Sequence, residues 1–159
     1  MDKPVHIGKL TITPVPVKHG TLDILGWEIA EQAPAEKHRQ KNTVKSFLYL
    51  TDVSKIPPAS MAQLSNRDSG MIRIVIIGGL RMRPHETHFN FEEALTAALA
   101  IGAKSIYLTH IAHSHSHREI EEFCRDFKEK FIISAKQTSV RELEKVNIHP
   151  AQDELELIL

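Results

Sequence analysis

Along the chain, short apolar runs of strand length alternate with polar stretches that carry turn residues. The segment "KLTITPVPVKH" alternates at period two and predicts a strand ending at His19, with Pro14 and Pro16 marking an edge or a strand end. A second strand is predicted over "LDILGWEIAE", followed by a polar loop, "EQAPAEKHRQKNT". "VKSFLYL" predicts a third strand, buried by its apolar content, that delivers Thr51 and Asp52 at its C-terminal end. "DVSKIPPASMAQL" reads as a turn and a short helix starting at Pro58. The most apolar segment, "MIRIVIIGG", predicts a central strand. After the polar loop "LRMRPHETHFN", Asn90 is placed to cap the helix "FEEALTAALAIG", with Glu92 and Glu93 in its first turn and Gly102 closing it. "KSIYLTH" predicts another buried strand. "SHREIEEFCRDFKEK" predicts a charged helix whose apolar positions Ile120, Phe123 and Phe127 recur at helical spacing. A strand is expected at "FIIS", a short helix at "SVRELEKV" and a last strand at "ELELIL". The pattern is that of the α/β class.

Composition narrows the function. A length of 159 residues suits one compact domain, 1–159, and 42% hydrophobic residues suffice for a sizeable core. Twenty basic residues cancel twenty acidic ones, so charge gives no reason to expect nucleic acid or an anionic membrane as partner. No apolar run is long enough to span a membrane, and "MDKPVHIGKL" lacks the apolar stretch of a secretory signal. A single cysteine, Cys124, forms no internal disulfide, so a reducing cytoplasm is expected.

Histidine is the anomaly: six of the ten lie between His85 and His117. Three apolar strands end in a polar or histidine-bearing loop, "YLTD", "IIGGLR…THF" and "YLTHIAH", and in α/β architectures functional loops collect at such ends. That repetition brings Asp52, His88 and His110 forward as members of one site, with His19 ending the first strand in the same way. Imidazole suits zinc, manganese or iron, and a carboxylate at a strand end can bridge two cations. Each residue alone has a plainer reading. A histidine at a strand end is often a hydrogen-bonded surface residue, and an aspartate there often starts a turn. The run "HSHSH" reads as a solvated loop or as a helix start capped by Ser116, which gives His115 and His117 structural roles. A third function class, metal buffering by a histidine-rich loop, fits poorly because the loop is short.

"LTHIAHSHSH" is superficially similar to the His-x-His-x-Asp-His motif of the metallo-β-lactamase superfamily, but two residues separate His110 from His113 and no aspartate lies among the histidines. The ordered set "PVPVKHG", "ILGWEI", "YLTDVSKIP", "HETHFNFEEAL" and "YLTHIAH" instead resembles the second half of that fold. The branch is the one that includes the cyclic-phosphate phosphodiesterases of carbon–phosphorus lyase pathways. The resemblance runs from about Leu10 to Ser114, and "DELELIL" resembles the family's last strand. It implies an αββα sandwich and hydrolysis of a small phosphorylated or ester substrate at two divalent metals, zinc or manganese. It implies His19 as a ligand of the first metal, Asp52 as the bridge and His110 as a ligand of the second. His88 matches a histidine that is not a ligand and acts on the leaving group or phosphate, and His85 and His113 are placed as pocket-lining residues.

Two departures qualify that reading. Gly78 stands in "IIGGLR" where the family's "LDALR" carries an aspartate, and no His-x-His-x-Asp-His motif occurs anywhere in the chain. His6, His38 and His149 are isolated. The expectation is therefore the C-terminal half of a metallo-β-lactamase fold, weak or inactive by itself, that pairs with an N-terminal half or self-associates through an uncovered apolar sheet face. The alternative expectation is a catalytically degenerate half-fold that serves as an interaction module.

Overall fold

A computed structural model of the chain describes residues 3–31, 46–65, 72–134 and 143–157. Among them, strands β1 (Val5–Ile7), β2 (Leu10–His19), β3 (Leu22–Glu31), β4 (Ser46–Leu50), β5 (Ile72–Gly78), β6 (Ser105–Thr109) and β7 (Asn147–Pro150) form one sheet in sequential order. Neighbours from β1 to β4 are antiparallel and neighbours from β4 to β7 are parallel. Helix α1 (Pro58–Ser65) connects β4 to β5, α2 (Phe91–Ile101) connects β5 to β6, and α3 (His117–Ser134) lies between β6 and β7. Sequential parallel strands joined by right-handed crossovers place every connecting helix on the same side of the sheet.

Burial follows from that arrangement. On the helical side, Val15 and Val17, Leu48 and Leu50, Val75 and Ile77, and Ile106 and Leu108 are at most 1% exposed. They form one cluster with Leu64 of α1, Phe91, Leu95 and Ala98 of α2, and Ile120 and Cys124 of α3. Alternation along each strand turns Leu25, Trp27, Phe47, Tyr49 and Ile76 to the opposite face. Leu25, Trp27 and Tyr49 there are 36%, 39% and 40% exposed, and no helix of the described residues covers them. The described structure is thus one sheet and one helical layer, the αβ half of an αββα sandwich. No described helix is long and apolar enough to cross a membrane.

The caps behave as their chemistry requires. Asn90 accepts from the Glu93 backbone while the Glu93 carboxylate accepts from the Asn90 N–H, both near 2.8–2.9 Å, and Gly102 closes α2 in the left-handed conformation at φ 89°. Ser116 and Glu119 form the same reciprocal pair before α3, and the bonds donated by Ser116 hold the Glu119 carboxyl below its usual range. Three expectations need correction. "FIIS" is the last turn of α3, because Phe131 continues the Phe123–Phe127 stack, with the Phe127 and Phe131 rings 5.6 Å apart. The last described strand is β7, not "ELELIL": Ile148 sits beside Ile106, whereas residues 151–157 follow as turn and coil. Val5–Ile7, which the period-two pattern does not single out, pairs with the start of β2. Residues 32–43 of the predicted polar loop and 139–142 of the predicted short helix lie outside the described residues.

Candidate metal centre

The site lies at one edge of the sheet. Strands β4, β5 and β6 run parallel, so Asp52, Gly79 and His110 follow their C-terminal ends side by side. Strand β2 is antiparallel to β3, and β3 to β4, so β2 runs with β4 and delivers His19 to the same edge. Backbone hydrogen bonds stitch the loops together: Phe89 N–H to Val53 O at 2.6 Å, Leu80 N–H to Phe89 O at 2.9 Å, and Ala112 N–H to Leu80 O at 2.8 Å. Ser54 joins the β4 loop to the β2 hairpin, since its N–H donates to Lys18 O and its hydroxyl accepts from Gly20 N–H, both at 2.8 Å.

Within this frame four side chains converge. Asp52 Oδ1 lies 3.3 Å from His88 Nε2 and 3.3 Å from His110 Nε2, and the two nitrogens are 3.2 Å apart. His19 joins through His88, with ring centroids 4.6 Å apart edge to face, and ligand atoms of His19, Asp52 and His88 all fall within 4.8 Å of one another. His19 Nδ1 lies 2.7 Å from the Thr87 carbonyl. A carbonyl only accepts, so His19 carries its proton on Nδ1 and keeps the Nε2 lone pair for a ligand.

The donor set fits a divalent metal. A triangle of one carboxylate oxygen and two imidazole nitrogens at 3.2–3.3 Å is favourable only with a proton or a cation among the three. Between the two proposed ligands, the 3.3 Å from Asp52 Oδ1 to His110 Nε2 matches the edge of roughly 3.4 Å expected for ligands about 2.1 Å from a tetrahedral metal. Backbone strain points to the same place. Asp52 and His110 adopt φ 53° and 56°. Left-handed backbone costs a non-glycine residue about 1 kcal/mol or more and clusters at functional sites. Burial lowers the pKa of His88, and the neighbouring His19, His110 and His85 add to that effect against the opposing hydrogen bond with Asp52.

The other predicted residues divide. His85 joins the cluster, its ring 5.1 Å from that of His88 and its Nδ1 accepting from the Thr87 N–H at 3.3 Å. His113 is exposed on the loop after His110 and makes no hydrogen bond or ring contact with the cluster among the described residues. His115 packs edge to face on Phe91 at 5.7 Å, and His117 pairs with Glu121 at 3.3 Å on α3. Both have the structural roles expected of them. Sequence reasoning missed Thr87 and Gly20. Thr87 touches three histidines, and a Cβ on Gly20, itself at φ 61°, would stand 2.9 Å from the Thr87 methyl. The available signal was the threonine enclosed by "HETH" and the glycine directly after His19.

A family model described as the beta-lactamase superfamily domain matches residues 1–111. A Porphyromonas gingivalis protein named octanoyltransferase is 30% identical over 113 residues, which are 70% of this chain and 19% of that protein. A crystal structure of a diphosphatase from the PhnP family superposes on 100% of this chain and 47% of its own, with a TM-score of 0.67 and 26% identity. Igni18, a metallo hydrolase from the archaeon Ignicoccus hospitalis, superposes on 96% of this chain and 55% of its own, with a TM-score of 0.54 and 14% identity, a likeness of fold. The chain therefore spans about a fifth of the octanoyltransferase and about half of each of these two structures.

Proposed function

We infer that this chain, which belongs to the beta-lactamase superfamily, supplies one wall of a metal-dependent hydrolase centre that acts on a small phosphodiester or diphosphate. The observation that carries the reading is the convergence of Asp52, His88 and His110 at 3.2–3.3 Å, with His19 beside them. The likeness to a diphosphatase over the whole of this chain supports a phosphoryl substrate. The octanoyltransferase name describes a protein of which this chain matches a fifth, and acyl transfer is not carried over.

In this reading His19 Nε2, Asp52 and His110 Nε2 hold zinc or manganese, and Asp52 has the position of the bridge. The metals would supply Lewis acidity and lower the pKa of water. His88 stays neutral and delivers a proton to the leaving oxygen or steadies the phosphate. His85, packed behind His88, belongs to the pocket wall, and His113 to its outer rim.

Three ligands fall short of two metals that need three or four each. The remaining ligands come, in this reading, from a second β-sheet that covers the open face around Leu25, Trp27 and Tyr49. Two observations support that occupant: the face is apolar and uncovered among the described residues, and the matched structures contain about as much chain again. The test is to join this chain to the N-terminal half of the diphosphatase and assay bis(4-nitrophenyl) phosphate. Hydrolysis should need Mn²⁺ or Zn²⁺, stop on chelation and vanish with Asp52→Ala. Turnover indifferent to Asp52 or to metal would refute the reading.

A further inference from the structure

The two residues after Asp52 hold the chain segments that carry the neighbouring histidines. Val53 is fully buried, and its carbonyl accepts from the N–H of Phe89, the residue after His88, at 2.6 Å. Ser54 and Lys55 hold the end of β2. The Ser54 N–H donates to Lys18 O at 2.8 Å, and the Lys18 N–H donates to Lys55 O at 2.9 Å. These backbone bonds all stop at Lys18, before His19. Among the contacts of this segment, the Ser54 hydroxyl reaches past it: Oγ donates to Lys18 O at 3.2 Å and accepts from Gly20 N–H at 2.8 Å. The directions are fixed, because a carbonyl only accepts and an N–H only donates. One side-chain oxygen thus bonds the residue on each side of His19. The bonded residues are 36 and 34 positions from Ser54 in sequence, so the hydroxyl is not engaged in the local turn that serine often makes.

We propose that Ser54 is a positioning residue whose hydroxyl, bonded on both sides of His19, sets that imidazole against Asp52. His19 needs such a hold, because it ends β2 and Gly20 turns the chain at φ 61° into β3, and strand ends open locally at little cost. The ring takes its place from that backbone: Nδ1 lies 2.7 Å from Thr87 O, and the ring meets His88 edge to face at 4.6 Å. Ser54 stands two residues from Asp52, so the separation of His19 from the carboxylate is set through one short stretch of chain. The consequence for cation binding rests on the proposed function, in which His19 and Asp52 hold the same metal. The placement of the ring without metal does not depend on that reading. Ser60 supplies the comparison: its buried hydroxyl donates to Pro16 O at 2.7 Å and so also pins β2, but upstream of His19.

The test compares Ser54→Ala with Ser60→Ala in the full chain, by NMR without metal and by calorimetric titration with Zn²⁺. Without metal, the parent should show nuclear Overhauser contacts between the His19 and His88 rings and between the His88 and His110 rings. Ser54→Ala should lose the first and keep the second, and its Gly20 amide should exchange with solvent roughly 10-fold faster, as loss of one hydrogen bond allows. Ser60→Ala should keep both contacts. Zn²⁺ affinity should fall roughly 10-fold in Ser54→Ala, the usual effect of losing a group that orients a ligand, and stay within about 2-fold of the parent in Ser60→Ala. Both ring contacts kept or both lost in Ser54→Ala, or Zn²⁺ affinity unchanged by it or lowered equally by the two substitutions, would overturn the proposal. The predicted change in ring contacts in a chain whose parent form binds no Zn²⁺ would overturn the functional reading and leave the positioning role standing.

Discussion

Asp52 and His110 meet across the end of a strand to which neither belongs. Asp52 follows β4 and His110 follows β6, with β5 between them, yet Asp52 Oδ1 and His110 Nε2 are 3.3 Å apart. Gly78, the last residue of β5, lies beneath the approach. A Cβ there would lie 3.4 Å from the Asp52 nitrogen and 3.6 Å from the His110 Cβ, so the two residues close over a position that has no side chain. Both residues adopt the left-handed backbone conformation, φ 53° and 56°.

Gly78→Ala should therefore be tolerated, because its contacts are ordinary van der Waals distances and no positive φ is involved. A stability change below about 1 kcal/mol in urea is expected. Gly78→Val adds branches where Asp52 and His110 meet, and should weaken divalent-cation binding by roughly 10- to 100-fold, the usual cost of disturbing residues that orient ligands. Gly26→Ala provides the contrast. Its Cβ would collide with the Cδ2 of fully buried Leu50, and overpacking of that kind costs about 1–3 kcal/mol.

In a completed enzyme, His88→Ala should lower turnover by roughly 10²–10⁴-fold, the usual worth of a general acid–base group. Metal content should stay near that of the parent. His88 Nε2 is close enough to Asp52 and His110 to be a ligand, so parallel measurement decides its role: metal lost in proportion to activity would make it one.

Asn90→Ala removes the side-chain half of the reciprocal cap at α2, leaves the residue-90 N–H to the Glu93 carboxylate, and should cost about 1 kcal/mol, within the roughly 0.5–2 kcal/mol typical of such caps. Chemical denaturation checks this. An unchanged midpoint would mean that the packing of Phe91 and Leu95 alone sets the start of the helix.

The open sheet face should make the chain self-associate when nothing else covers it. Sedimentation should show a concentration-dependent oligomer that Trp27→Lys shifts towards monomer, since Trp27 is 39% exposed at the centre of that face. A parent chain that stays monomeric at every concentration would contradict this.

Much of this was legible in local chemistry. Asn90 and Gly102 announced both ends of α2, and the apolar runs before Asp52 and His110 announced the strands that carry them, because burial on a sheet leaves a dense apolar signature. What failed depended on longer context. "FIIS" has the composition of a strand but continues the aromatic stripe of the helix before it, and "NIHP" becomes β7 only because β6 offers a free edge. At the site, the strand-end histidines and Asp52 could be picked out one by one. The role of Thr87 could not, because it acts partly through its carbonyl, and every residue has a carbonyl.

The most direct test of the central claim, that these strand ends form a divalent-cation centre, is calorimetric titration of the purified chain with Zn²⁺ beside its Asp52→Asn variant. Asparagine tolerates the left-handed backbone and keeps the shape of aspartate, so the fold is retained while the charge is lost. The account predicts at most one ion per chain, held weakly for want of the remaining ligands, with affinity at least about 10-fold lower in Asp52→Asn. Binding unaffected by Asp52→Asn, or two ions held tightly by the chain by itself, would contradict it.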